Sequence, residues 1–236
     1  MVGRKLYALP NADKAWHEKW TDKRGYGTDK LNLMDLVHPY RTLLIARPNC
    51  GKTTMMKNLL IHQRPKFERL VIIHHDGQDT REYDDIGKKE MIDYIPDKTF
   101  FNPDEKTFVI IDDIDTKRLS KEARSHLFKL FSYVSTHKNV SVCLATQEPF
   151  NIPPEIRRVA NVFILWKPSD YDCCASFSKK VGLEAEDLKY IFKHICTGPK
   201  DSFCIDLTDN SPAPFRKNMF EPLDLITKDK YEENSD

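Results

Sequence analysis

This chain has almost no net charge. Its 37 lysines and arginines stand against 36 aspartates and glutamates, a formal net charge of +1. It is therefore not a generally basic protein that coats nucleic acid by bulk electrostatics, and any contact with a polyanion has to come from a local basic surface. A long apolar run is also missing: no stretch approaches the ~18 uninterrupted apolar residues of a membrane-crossing helix. The opening Met1-Val2-Gly3-Arg4-Lys5 leads into no apolar signal core, which argues against secretion. Of the six cysteines, at 50, 143, 173, 174, 196 and 204, no two form a C-x-x-C pair. A reducing intracellular compartment fits this usage, with Cys173-Cys174 packing on a helix. There is no internal repeat and no low-complexity segment. What is there is an ordinary globular composition, 40% hydrophobic over 236 residues, enough for one substantial α/β core.

Strand-length apolar runs fall at residues 41–46, 70–74, 108–112, 140–145 and 162–166, with a later one at 202–207. Helical patterns separate them at 52–63, 121–136, 171–181 and 184–195, and Ser120 stands where the second of these needs an N-cap. Strands that are apolar throughout and alternate with helices predict a mainly parallel central sheet flanked by helices. Residues 1–31, polar and mixed in charge, read as an N-terminal extension. Residues 32–224 read as one α/β domain and the charged 225–236 as a disordered tail.

The first run leads into Ala46-Arg47-Pro48-Asn49-Cys50-Gly51-Lys52-Thr53-Thr54 and then into a helical pattern. This is the order of a phosphate-binding loop, G-x-x-x-x-G-K-[ST] between strand and helix. Gly51 lets the backbone come close to phosphates, and the amides of Asn49, Cys50, Gly51, Lys52, Thr53 and Thr54 can point at them. Lys52 can reach the β- and γ-phosphates, and the Thr53 hydroxyl can ligate Mg²⁺. Ala46 brings a Cβ to a position where glycine is usual, which predicts a restricted turn there.

The run Phe108-Val109-Ile110-Ile111-Asp112-Asp113 is an apolar strand ending in two carboxylates. In a P-loop enzyme Asp112 holds Mg²⁺, directly or through water, and Asp113 orients or deprotonates the attacking water. The run at 70–74 intervenes in the chain. A P-loop enzyme with a strand inserted between the phosphate-loop strand and the acidic strand activates water with an extra acid, as motor ATPases do. No Asn-Lys-x-Asp sequence follows in the right region, so ATP is favoured over GTP. The next strand ends at Gln147, which either hydrogen-bonds the water and the γ-phosphate or caps the turn before Pro149. His74 and His75 are assigned no role.

Taken together these features make the chain similar to the genome-packaging ATPases of the poxvirus-like type, within the FtsK–HerA superfamily of P-loop NTPases, found in double-stranded DNA viruses with an internal membrane. The resemblance is carried by Gly51-Lys52-Thr53, by Asp112-Asp113 and by His137, Asn139-Val140-Ser141 and Gln147. It extends through Ile152-Pro153-Pro154, Ile156-Arg157 and Asn161 to Phe203-Cys204-Ile205-Asp206 and Phe215-Arg216-Lys217-Asn218. It spans residues 40–223.

The resemblance implies a ring of five or six identical subunits that hydrolyses ATP with Mg²⁺ and drives double-stranded DNA into a preformed capsid. Capsid or packaging-vertex proteins would be its partners, and the host-cell cytoplasm, the viral assembly site or the virion its location. In a ring, a neighbour's arginine can stabilise the transferred phosphoryl group; Arg157 and Arg158 are the candidates, with Arg81 behind them. A packaging motor must contact DNA through phosphates, without regard to sequence. The best local basic surface, Lys117, Arg118, Lys121 and Arg124, follows the acidic strand, although it can equally be a solvated helix face. The rival readings are a helicase-type DNA-dependent ATPase of the same superfamily and a nucleotide-binding capsid-assembly scaffold without hydrolysis.

Overall fold

The apolar runs form the strands they predict. In the computed structural model, which describes residues 7–10, 36–63, 65–208 and 214–226, the strands are β1 (Tyr7–Pro10), β2 (Arg41–Ile45), β3 (Arg69–His74), β4 (Glu90–Ile92), β5 (Thr107–Asp112), β6 (Val140–Thr146), β7 (Val162–Trp166), β8 (Ser202–Asp206), β9 (Phe215–Lys217) and β10 (Glu221–Ile226). They make one sheet in the order β1-β10-β9-β8-β7-β2-β6-β5-β3-β4. From β7 to β4 all neighbours are parallel, whereas β8, β9, β10 and β1 extend the sheet antiparallel. The expected α/β architecture with a mainly parallel sheet is the one observed.

The helices are α1 (Lys52–His62), α2 (Lys121–Lys129), α3 (Pro154–Val159), α4 (Cys174–Val181) and α5 (Ala185–His194). The parallel strands read as continuous apolar runs because both faces are buried. Leu43, Ile45, Val109 and Ile111 face a core shared with α2, α4 and α5. Leu44, Phe108 and Ile110 face a second core into which α1 inserts Met55, Met56 and Leu59. Ser120 caps α2 by accepting from the Ala123 amide at 3.1 Å. The predicted helix over 121–136 is interrupted by a π-helical turn at Leu130–Val134, which keeps Leu130, Phe131 and Val134 buried against the sheet. Gly182, left-handed at φ 74, ends α4, and a reciprocal Glu184–Asp187 cap opens α5.

Two expectations change. The phosphate-loop strand β2 and the acidic strand β5 are indeed separated, but by β6. The 70–74 run, in β3, lies on the far side of β5, so its place between them in the chain is not its place in the sheet. At the C-terminal side, β10 continues two residues past 224 into the segment expected to be a disordered tail; 227–236 lie outside the described residues. Of the extension 1–31, Tyr7–Pro10 is described, and it pairs antiparallel with β10.

Candidate active site

All six parallel strands deliver their C-terminal ends to one edge, and the loops that follow β2, β5 and β6 meet there. The loop after β2 begins with Ala46, whose amide donates to the Thr146 carbonyl at 3.2 Å and so continues the ladder. Ala46 is buried and its φ is not left-handed. The restricted turn expected there is absent, because the loop makes its turns at Asn49 (φ 62) and Gly51 (φ 102) instead. A Cβ on Gly51 would meet nothing within 4 Å; backbone conformation, rather than crowding, is what requires glycine. Lys52 then opens α1, leaving the first amides of the helix free for an anion.

The two acids at the end of β5 divide. Asp112 is buried, and Asp113, turned outward by a left-handed φ of 54, is partly exposed. The Lys52 ammonium lies 3.4 Å from Asp113 Oδ1 and 4.0 Å from Asp112 Oδ1. Burial pushes the Asp112 carboxyl above the usual carboxylate range, against the hydrogen bond from Tyr83 and the charge of Lys52, which pull it down. Asp112 Oδ1 is buried without a hydrogen-bond partner. An orphaned acceptor of this kind, facing the phosphate loop, is what a hard cation or its water shell satisfies. The residues present therefore fit Mg²⁺, which Thr53 and Asp112 would hold.

Gln147 follows β6 directly and shares a cleft of ≈ 260 Å³ with Ala46, Arg47, Trp166, Lys167 and Phe177. The structure thus brings Gln147 to the start of the phosphate loop. Lys167, just after β7 on the same cleft, is a further cation at this edge that the sequence did not single out.

Arg157 and Arg158 do not join the site. They follow the Gln147 strand end closely in sequence, on α3, which leads to the start of β7. The Arg158 carbonyl accepts from Lys180, and Asn161, a few residues on, bonds Arg41 at the start of β2. The basic loop after β5 starts at the acids, as expected. Lys117, Arg118, Lys121 and Arg124 are all exposed, but Arg118 pairs with Asp115 at 3.2 Å, and Arg124 donates to the carbonyls of Lys117 and Leu119. The hydroxyl of Thr116 donates to the Asn151 carbonyl, tying this loop to the one that follows Gln147.

Sequence reasoning missed the loop between β3 and β4. Tyr83 from this loop is fully buried and donates to Asp112 Oδ2 at 2.7 Å. Its neighbour Glu82 accepts from the Thr53 hydroxyl at 3.3 Å. Lys57 of α1 clamps the loop through Asp85 at 2.6 Å. The stretch is dense in charge and without period, so nothing in it marks Tyr83 as core. His74 ends β3 with Nδ1 accepting from the Asp76 amide, a local turn contact.

Several residues that carry the resemblance hold the opposite edge and the antiparallel half together. His38 bonds Ser141 at 2.6 Å and Asn139 at 2.7 Å, and burial pushes its imidazole down to about 4. Asn161 Oδ1 accepts from the Arg41 amide at 2.7 Å. Arg216 and Asp206 form a buried ion pair at 2.7 Å, and Asn218 Oδ1 accepts from the Ser202 amide at 2.9 Å.

The family model for the ATPase family associated with various cellular activities (AAA) matches residues 42–166, from the phosphate-loop strand through the strand after Gln147. The chain belongs to the AAA family. It is an ATPase by that membership, and the matched span holds the phosphate loop, Asp112, Asp113 and Gln147. Among solved structures, this AAA chain is similar to B204, the DNA-packaging ATPase from Sulfolobus Turreted Icosahedral Virus. The TM-score is 0.58 at 13% identity, covering 76% of this chain and 97% of that one. It is also similar to the genome packaging NTPase B204 from Sulfolobus turreted icosahedral virus 2 in complex with ATP-gammaS, with a TM-score of 0.52 at 15% identity over 79% and 97% of the two chains. At these identities the likeness is one of fold. No curated protein matches the sequence.

Proposed function

We propose that this AAA ATPase is a motor that moves double-stranded DNA into a viral capsid by Mg²⁺-dependent ATP hydrolysis. The observation that carries the proposal is the meeting, at one sheet edge, of the phosphate loop, the Asp112–Asp113 pair and Gln147, on a fold shared with DNA-packaging ATPases.

The amides of the loop and the Lys52 ammonium bind the phosphates of ATP. Thr53 and Asp112 would hold Mg²⁺, which would supply positive charge against the phosphates. Asp113, exposed and free of the strand, accepts the proton of the attacking water, and Gln147 orients that water against the γ-phosphoryl group. Each turnover gives ADP and inorganic phosphate. The Thr116–Asn151 bond gives a physical link from the Gln147 loop to the basic loop, where Lys117 and Lys121 contact DNA phosphates. Arg157 and Arg158 are the candidates to stabilise a neighbouring subunit's transferred phosphoryl group, as in a ring of five or six. Capsid-vertex proteins are the remaining partners of such a ring.

The test is ATP turnover with double-stranded DNA of arbitrary sequence, together with particle mass in the presence of an ATP analogue. Stimulation by DNA and a closed ring are expected. Turnover indifferent to DNA would remove the motor reading and leave an ATPase of other purpose. Strand separation by the stimulated enzyme would favour a helicase.

A further inference from the structure

The loop between β3 and β4 crosses onto the sheet face covered by α1 and touches the cation site through two consecutive residues. Tyr83 packs in the core with no exposed surface, and its hydroxyl donates to Asp112 Oδ2 at 2.7 Å. Glu82 accepts from the Thr53 hydroxyl at 3.3 Å. The loop is held against α1 by the Lys57–Asp85 ion pair, and the Lys57 ammonium lies 5.9 Å from the centre of the Tyr83 ring.

These two contacts decide which way the ligand atoms face. A threonine hydroxyl has one proton and two lone pairs. With its proton given to Glu82, Thr53 keeps its lone pairs for another partner. A carboxylate has two oxygens, and Tyr83 occupies one of Asp112's. The other, Oδ1, is buried, has no hydrogen bond and lies 4.0 Å from the Lys52 ammonium, so it faces the phosphate loop. A tyrosine serving only to fill the core would need no hydroxyl, since phenylalanine fills nearly the same space.

We infer that Glu82 and Tyr83 are positioning residues of the divalent-cation site, Glu82 acting through Thr53 and Tyr83 through Asp112. The inference rests on the reading of Thr53 and Asp112 as the cation's ligands, and it adds a second layer, supplied by a loop outside the phosphate-loop and acidic-strand motifs. Partners of this kind fix ligand orientation, and their loss commonly weakens metal binding by about 10–100-fold.

The experiment measures Mn²⁺ binding by electron paramagnetic resonance in the presence of a non-hydrolysable ATP analogue. Nucleotide affinity in excess chelator and thermal melting are measured beside it. Tyr83→Phe is expected to melt close to the wild type, to keep metal-free nucleotide affinity within about twofold and to weaken Mn²⁺ about tenfold or more. Glu82→Ala should behave likewise. Glu82→Gln, whose amide oxygen still accepts the Thr53 proton, should recover most of the loss. Unchanged Mn²⁺ affinity in Tyr83→Phe and Glu82→Ala would overturn the inference. So would a matching loss of metal-free nucleotide affinity, which marks a merely structural role. A wild-type protein that binds neither nucleotide nor Mn²⁺ would instead overturn the underlying site reading, and that arm is read before any variant.

Discussion

Lys52 Nζ stands 3.4 Å from Asp113 Oδ1, so the residue assigned to the phosphates and the residue assigned to the water are already in contact. A triphosphate competes with Asp113 for this ammonium, and engaging Lys52 with phosphate frees the carboxylate for the water. Asp113 is 39% exposed, so the pair itself contributes little, about 0.2–1 kcal/mol. Asp113→Asn is therefore expected to retain nucleotide binding, tightened by at most about fivefold, while turnover falls at least about a hundredfold. Lys52→Ala should lose nucleotide binding. Equilibrium binding of a fluorescent ATP analogue and steady-state phosphate release measure the two separately, and full turnover in Asp113→Asn would place the base elsewhere.

The basic loop yields a charge prediction. Lys117→Glu and Lys121→Glu should weaken DNA binding uniformly across sequences. Each lost phosphate contact should reduce the salt dependence of log K by about one unit of slope. Arg124→Ala should act differently, because its guanidinium holds the carbonyls of Lys117 and Leu119; it should loosen the loop, seen as faster amide exchange there. A salt slope unchanged in the lysine variants would reassign the patch to a solvated helix face.

Acid should destabilise the fold through His38. The folded protein holds this imidazole neutral down to about 4, below the usual 6.5. As a neutral ring it donates through Nε2 to Asn139 and accepts at Nδ1 from Ser141. Between those values the unfolded chain binds the extra proton, so stability is full above pH 6.5 and falls as pH is lowered towards 4, by the order of 1–3 kcal/mol. Urea unfolding midpoints across that window should show the loss, and His38→Gln should flatten it.

Breaking the buried pair at the antiparallel half should be costly. Arg216→Ala leaves Asp206 charged in a fully buried position, a loss of about 3–5 kcal/mol. The apolar double variant Asp206→Leu with Arg216→Met should recover much of it, since both members of the pair are replaced together. Denaturant titrations of both variants give the comparison.

How much of this was legible depended on whether a residue's neighbours lie along the chain or across the sheet. The parallel strands announced themselves because burial on both faces leaves no polar alternation. The phosphate loop was equally readable, since Gly51, Lys52 and Thr53 act through their own backbone and the helix they open. Strand order was not readable, because the place of β6 between β2 and β5 is set by pairing. The helix α3 is absent from the helical patterns because it is six residues long and opens on Pro153-Pro154, although proline is well suited to a first helical turn. Strands β4 and β9 are three residues each, and β10 carries Pro222 and Asp224, so their patterns are too short or too polar to stand out. Tyr83 sat unmarked in a charged stretch, since only the folded loop shows that its hydroxyl ends at Asp112.

The antiparallel pairing of β1 with β10 has a practical consequence for handling the molecule. It brings the described parts of the two ends of the chain side by side, four and five strands from β2 in the sheet order. At about 4.8 Å per strand, that places them roughly 19–24 Å from the phosphate-loop strand. A bead tether or fluorescent tag attached to β1 or β10 itself would approach from that flank, away from the strand that leads to Lys52, so force or light can be applied there while the site turns over.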